Sequence, residues 1–172
     1  MENSIGEYVY HGSPVKFDFE FVVPRRNLRT RISSTGESIA IFDQESFHAT
    51  SYKWIALSYT YKSSPFKIGE IKTHYSIGVS LYENNKKVYI LGRNSLEESL
   101  EALYGEGGYL YYFNKDNFFH KEGLGNLEVI IEEPIKPAKF ERIDDPVSEM
   151  KKLGVTFVFF DLFLPENEKY RN

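Results

Sequence analysis

The stretch Tyr8-Val9-Tyr10-His11-Gly12-Ser13-Pro14 is the part of the sequence from which both the fold and the site are predicted. Aromatic and β-branched residues are typical of a strand, and Pro14 ends that strand because proline has no backbone N–H to donate. His11 offers a ring that can donate or accept a hydrogen bond, beside glycine backbone that a flat ligand can approach closely. The alternative is an ordinary strand end and turn, with His11 bonded to nearby backbone.

The composition predicts one aromatic-rich domain. The chain has 172 residues, of which 41% are hydrophobic and 16% are Phe, Tyr or Trp. Chains of this length commonly form a single domain, so we predict one domain over 1–172. Much of its core, or of a binding cleft, must then be ring surface.

Charge and residue usage disfavour or exclude several classes of function. The net charge is −4, which makes general nucleic-acid binding unlikely, because such proteins need a surplus of Lys and Arg to displace counterions from phosphates. A local basic patch over 24–31 is either a solvated loop or a binding surface. The absence of cysteine excludes disulfides and cysteine nucleophiles, and the four histidines lack metal-ligand spacing, so no metal site is predicted.

The sequence carries no sign of targeting to a membrane. Its N-terminus is polar and acidic, and no apolar run approaches the ~20 residues that a membrane helix needs. We therefore predict a cytoplasmic protein that does not associate with membranes. Secretion by a route without an N-terminal signal stays open.

Hydrophobic periodicity predicts more strands than helices. Strands are predicted at 7–11, 46–50, 75–81, 87–91, 108–113, 127–134, 139–143 and 155–160, while 17–23 is either a strand or an extended turn segment. A loop is predicted at 24–37, and helices at 52–62, 95–105 and 146–153. The second helix has a capping box at its start, and the third has proline in its first turn and glycine after its end. Many strands with two or three short helices indicate an α+β domain.

Two carboxylates on the strand predicted at 127–134 are candidates for chemistry. Strand alternation puts Glu128, Ile130 and Glu132 on one face, and Val129, Ile131 and Glu133 on the other. A carboxylate on a mostly apolar strand face is costly unless it is paired or used. The equally supported alternative is that Glu128 and Glu132 simply mark the solvent face.

Three segments together resemble the diphtheria-toxin and poly(ADP-ribose) polymerase branch of the ADP-ribosyltransferase superfamily. They are Tyr10-His11-Gly12-Ser13, Ser46-Phe47-His48-Ala49-Thr50-Ser51 and Ala56-Leu57-Ser58-Tyr59. In that branch a first strand ends in His-Gly-Ser or His-Gly-Thr, a second strand leads into a helix, and a later glutamate completes a His-Tyr-Glu signature. The resemblance implies an α+β, ADP-ribosyltransferase-like fold with two packed, mostly antiparallel sheets and a cleft between them.

The resemblance also implies NAD as the substrate and a macromolecule of unknown identity as the acceptor. His11 would hold a ribose hydroxyl, and rings at Phe47 and Tyr59 would enclose the nicotinamide. Glu128, with Glu132 as second choice, would bind the other ribose hydroxyl and stabilise positive charge at the anomeric carbon. The implied catalytic residues are His11 and Glu128, and the implied NAD-binding residues are His11, Gly12, Ser13, Phe47, Ser51 and Tyr59.

Departures from the family pattern leave several functions open. Phe47 stands where the family has tyrosine, and Ile55 where it has serine, so that Ser51 or Ser58 would replace the missing donor to the nicotinamide amide. The favoured hypothesis is ADP-ribosyl transfer or NAD hydrolysis. The alternatives are a non-catalytic module that binds nucleotide or ADP-ribose, an RNA 2′-phosphotransferase-like enzyme on the same fold, and a protein-interaction domain with a structural His11.

Overall fold

A computed structural model describes residues 6–162 of the chain. Within that range the strands are β1 (Tyr8–Ser13), β2 (Arg25–Ile32), β3 (Ser38–Ala49), β4 (Pro65–Ile68), β5 (Ile71–His74), β6 (Ser76–Tyr82), β7 (Asn85–Gly92), β8 (Gly108–Asn114), β9 (Val129–Ile131), β10 (Lys139–Ile143) and β11 (Val155–Asp161). The α-helices are α1 (Lys53–Ser58), α2 (Leu96–Tyr104) and α3 (Pro146–Lys152), and a 3-10 helix spans Lys115–Asn117.

The described strands form several mostly antiparallel sheets, which confirms the α+β class and the small number of short helices. Three sheets have three strands each, in the orders β1-β8-β10, β11-β7-β6 and β2-β3-β9, and β4 pairs with β5. Pairing is antiparallel in β2-β3, β3-β9, β4-β5 and β6-β7, whereas β11 runs parallel to β7. The described strands therefore divide into four sheets, where the resemblance implies two.

The described residues fall into two compact units. The first unit comprises 6–11, 17–56 and 111–141 and contains the sheet β2-β3-β9. The second unit comprises 12–16, 57–110 and 142–162 and contains the sheets β11-β7-β6 and β4-β5 with α2 and α3. The chain passes between the units inside β1, β8, β10 and α1. The prediction of one domain over 1–172 stays a prediction.

The core of the second unit is built on the predicted hairpin β6-β7. Glu83 and Asn84 form its two-residue turn with φ of 46° and 66°, a left-handed conformation that matches the twist of paired strands. Val88 and Ile90 alternate along β7 and are fully buried. At the end of β7, a Cβ on Gly92 would lie 2.2 Å from Ser99 Oγ of α2. Glycine there permits the close approach of helix and strand.

Helices α2 and α3 of the second unit begin as the sequence predicts. Ser95 Oγ accepts a hydrogen bond from the Glu98 N–H at 3.1 Å, which satisfies one of the unpaired donors at the start of α2. Asp145 Oδ1 accepts from the Ser148 N–H at 2.9 Å at the start of α3, where Pro146 occupies the first turn. The helices predicted at 95–105 and 146–153 are confirmed, and each observed end lies within one residue of the predicted end.

The largest errors of the sequence prediction lie in the first unit. The prediction of a loop at 24–37 is wrong over β2, which pairs along its length with β3. The side chains of β2 are mostly exposed on both faces, so no apolar alternation marks the strand. The strand predicted at 46–50 begins much earlier, at Ser38, and forms the long strand β3, whereas the helix predicted at 52–62 shortens to α1.

Two predicted strands of the first unit are also shorter than expected. Segment 17–23 is not a strand, and Val22 forms only an isolated bridge with Ile135. The strand predicted at 127–134 shortens to β9, which pairs with β3. Phe42, Leu124 and Ile130 form a buried apolar cluster beside this pairing. No helix within 6–162 is long and apolar enough to cross a membrane.

Replacing the cap of α2 tests the local basis of this fold. Ser95→Ala should lower the free energy of unfolding by about 1 kcal/mol, because the Glu98 N–H loses its acceptor. The matched control is Ser148→Ala, since Ser148 in α3 uses its backbone N–H, not its hydroxyl, in the cap. Urea denaturation measures both variants, and equal stabilities for the two would contradict the assignment of the cap.

Candidate functional site

The predicted site residues are divided between the two units. His11, Phe47, Ser51 and Glu128 belong to the first unit, and the remaining three, Gly12, Ser13 and Tyr59, to the second. Contacts among the first four residues are therefore internal to one unit.

In the second unit, the predicted binding residues differ in burial. Ser13 is 5% exposed, and its hydroxyl donates to the Val15 carbonyl at 2.8 Å. Gly12 is buried, whereas Tyr59, just after α1, is 47% exposed. Ser58, the alternative to Ser51 as donor, is fully buried, and its carbonyl accepts from the Tyr104 hydroxyl.

His11 is held in one protonation state and one tautomer. Its Nδ1 lies 2.8 Å from the His48 carbonyl oxygen, which can only accept, so Nδ1 carries the proton. Burial lowers the pKa of His11 below 6.5, because the charged ring would lose its hydration, and this outweighs the hydrogen bond to His48. The neutral ring therefore presents Nε2 as a hydrogen-bond acceptor, and this nitrogen has no partner among the described residues.

Aromatic side chains of the first unit surround the His11 ring. The Phe47 ring lies 4.6 Å from it and the Phe17 ring 5.8 Å from it, both tilted by about 40°. Phe47 also contacts Phe113 edge-on at 5.1 Å. The structure thus brings together His11 and Phe47, two residues that the resemblance places at one nicotinamide.

Glu128 lies in a network of donors that the sequence did not reveal. Arg29 donates to both carboxylate oxygens, at 2.6 and 2.7 Å, and the Gly125 N–H lies 3.3 Å from one of them. His48 Nδ1 is 3.5 Å from Oε1. Burial alone would raise the pKa of Glu128, but the hydrogen bonds from Arg29 and His48 outweigh it and hold the pKa well below 4.5.

His48 connects this carboxylate to the rest of β3. Its Nε2 lies 2.9 Å from the hydroxyl of Ser46, which is 5% exposed, and its Nδ1 lies 3.4 Å from Arg29 Nη2. The edge of the ring packs against Phe42 at 5.7 Å. Ser46, His48, Glu128 and Arg29 therefore form one continuous polar chain on one side of β3.

The register of β3 and β9 decides which side chains can meet. Phe47 pairs with Ile131, and His48 pairs with Ile130. Residues opposite each other share a face, so Phe47 and His48 lie on opposite faces of this pair of strands. Glu128 contacts the His48 ring, whereas the His11 ring contacts Phe47. The structure therefore does not bring the Glu128 carboxylate to the Phe47 face.

Glu132, the second choice, also lies on the face of His48. Its carboxylate accepts from Gln44 Nε2 at 2.6 Å and lies 3.3 Å from Lys121 Nζ. Gln44 shares its strand face with Ser46 and His48 by alternation along β3. The alternation of Glu128, Ile130 and Glu132 predicted from the sequence is therefore retained in the structure.

Glu133 lies in the bend that follows β9, where strand alternation no longer applies. Glu133 follows Ile131 by two residues, is exposed, and forms no ion pair with a described residue. The sequence predicted that Glu133 shares a strand face with Val129 and Ile131, but the strand ends at Ile131, which is the residue that pairs with Phe47. The sequence did not identify Arg29 as a site residue, because it lay in a predicted loop. His48 lay in a predicted strand, and its spacing to the other histidines matched no known type of site.

The described residues thus offer a neutral imidazole beside a phenylalanine ring, and a separate ionised carboxylate held by arginine. Within 6–162 no group of three or more His, Asp or Glu side chains is arranged to hold a metal ion. Comparisons with protein-family profiles, with curated proteins and with solved structures find no match to this chain.

Removing Arg29 tests the carboxylate network. Arg29→Ala should lower the free energy of unfolding by about 1–3 kcal/mol at neutral pH, because a half-buried carboxylate loses two charged hydrogen bonds. This loss should become smaller as the pH falls below about 4.5. Glu128 is then protonated in the unfolded chain, so its low pKa in the folded protein contributes less to stability.

The control is Arg26→Ala on the same strand, whose pair with Asp43 is largely exposed and should matter little. Thermal unfolding at several pH values measures both variants. A loss for Arg29→Ala that is independent of pH would contradict the role given to Glu128.

A second prediction concerns His11. Because its folded-state pKa lies below the ordinary 6.5, the unfolded chain binds a proton more readily, and stability should fall as the pH drops below 6.5. His11→Asn keeps a donor for the His48 carbonyl but cannot titrate, so its stability should fall less between about pH 7 and pH 5. An equal loss of stability in the two proteins between about pH 7 and pH 5 would contradict a neutral, half-buried His11.

Proposed function

We propose that this protein binds NAD at the His11 and Phe47 side of the first unit, and transfers its ADP-ribose to an acceptor or to water. One observation carries the proposal. The His48 carbonyl fixes the proton of His11 on Nδ1, so that Nε2 can accept a hydrogen bond from a ribose hydroxyl beside an aromatic ring. Nicotinamide is a flat aromatic amide, and a ring such as Phe47 suits it as a stacking partner.

In the proposed reaction the bond between ribose C1′ and the nicotinamide nitrogen breaks. Nicotinamide leaves with the bonding electron pair and becomes neutral, while positive charge develops at C1′. A nucleophile on the acceptor, or water, then forms the new bond to C1′ and releases a proton. A carboxylate close to C1′ would lower the barrier, because it stabilises this charge as it develops.

Three glutamates that flank β9 are candidates for that role. Glu128 is ionised, as the role requires, but its carboxylate lies on the face of His48 and not of Phe47, and Arg29 donates to both of its oxygens. Glu133 follows Ile131, the residue that pairs with Phe47, by two positions, and it has no ion pair within the described residues, which supports it as the alternative. Glu132 is bound by Gln44 and Lys121 and serves as the matched comparison.

A non-catalytic module that binds NAD or ADP-ribose is the second candidate function. It is favoured by the bidentate pair of Glu128 with Arg29, because a carboxylate saturated by an arginine is a stable structural ion pair. In this case His11 and Phe47 bind the nucleotide and no bond is broken. Release of nicotinamide separates the two functions.

The experiment measures binding of NAD by calorimetry and release of nicotinamide by chromatography. Wild-type protein should do both, and His11→Ala should weaken binding and release alike. Each glutamate is changed separately to Gln, and loss of the reacting carboxylate should lower release by about 100-fold or more while binding persists. Binding without release in the wild type would assign the module instead, and no binding of NAD would overturn both functions.

A further inference from the structure

The segment that follows β1 carries a stack of aromatic rings near His11. The rings of Phe17 and Tyr111 are parallel to within 14° with centroids 4.0 Å apart, and Phe19 stacks on Phe17 at 5.1 Å and 19°. The Phe17 N–H donates to the Tyr111 hydroxyl at 2.6 Å, which ties the segment to β8. Tyr111, which also stacks on Phe140, is buried, whereas Phe19 at the end of the stack nearer His11 is 44% exposed.

Phe19 differs from an ordinary exposed phenylalanine. Isolated apolar side chains are common on protein surfaces and need no explanation. Phe21, two residues further along, is such a case, since it is 52% exposed and has no ring contact with a described residue. Phe19, by contrast, is held nearly parallel to two rings behind it, so its orientation is set before any ligand arrives.

We propose that Phe19 is a stacking platform for a purine base, and that it takes the adenine of NAD. An aligned ring with an exposed surface suits a flat heteroaromatic ligand, because parallel stacking continues the existing geometry and every base has a π face. Aliphatic or flexible partners would gain nothing from this alignment.

The position of Phe19 relative to His11 indicates which end of NAD it would bind. Phe17 contacts both rings, with its centroid 5.8 Å from that of His11 and 5.1 Å from that of Phe19. The platform therefore lies one ring away from the group proposed to hold the nicotinamide ribose. This step rests on the proposed function, since His11 and Phe47 take one end of the dinucleotide and Phe19 takes the other.

The proposal is tested with the two halves of NAD as separate probes. Adenosine monophosphate and nicotinamide mononucleotide are titrated against wild-type protein, Phe19→Ala, Phe19→Trp and Phe21→Ala, and the fold of each variant is checked by circular dichroism. Phe19→Ala should weaken the adenine nucleotide about 5- to 100-fold and leave the nicotinamide nucleotide unchanged. Phe19→Trp should restore affinity because it retains a ring, and Phe21→Ala should bind like the wild type.

Three results would overturn the platform: no binding of adenosine monophosphate by the wild type, equal affinities for Phe19→Ala and Phe21→Ala, or equal losses of both nucleotides in Phe19→Ala. Its failure is distinguishable from failure of the proposed function. Release of nicotinamide with a KM that does not change in Phe19→Ala would remove the platform alone. Adenine binding that depends on Phe19, combined with nicotinamide mononucleotide binding that does not depend on His11, would support the platform and remove the proposed site.

Discussion

The hydrogen bond between His11 Nδ1 and the His48 carbonyl oxygen is the interaction on which the arrangement of the first unit depends. It joins β1 to β3 at the point where both strands contribute candidate residues, and the adjacent bridge between Tyr10 and Thr50 extends the contact through backbone. Because the acceptor is a carbonyl, the bond fixes both the position of the proton and the plane of the ring. A histidine bound in this way can present an acceptor to a ligand without a change of tautomer.

His48 makes separate contacts through its backbone and through its side chain. Its backbone carbonyl binds the imidazole of His11, while its side chain contacts Ser46 and the ion pair of Glu128 with Arg29. The side chain of Phe47, which contacts His11, lies on the opposite face of the strand from the side chain of His48. The ion pair stabilises the junction of β2, β3 and the start of β9, and its saturated carboxylate is poorly suited to receive a further partner unless Arg29 moves.

Features set by residues close together in the chain were predicted correctly, and features set by distant residues were not. The β6-β7 hairpin and the starts of α2 and α3 depend on residues within four positions of one another, so local patterns were sufficient to predict them. Strand β2 depends on β3 for its hydrogen bonds, and its polar, exposed side chains resemble those of a loop. The partner of Glu128 could not be predicted for the same reason, because Arg29 precedes it by 99 residues.

The sequence alone determined the α+β class, the short helices and the grouping of Glu128, Ile130 and Glu132 on one face, because these follow from local propensity and from the period of a strand. It also identified His11 and Phe47 as candidate partners. Tertiary structure alone decided that Arg29 saturates Glu128 and that Phe17 and Phe19 form a stack on Tyr111. These contacts join segments far apart in the chain, and strand register, which local sequence does not encode, sets which side chains share a face.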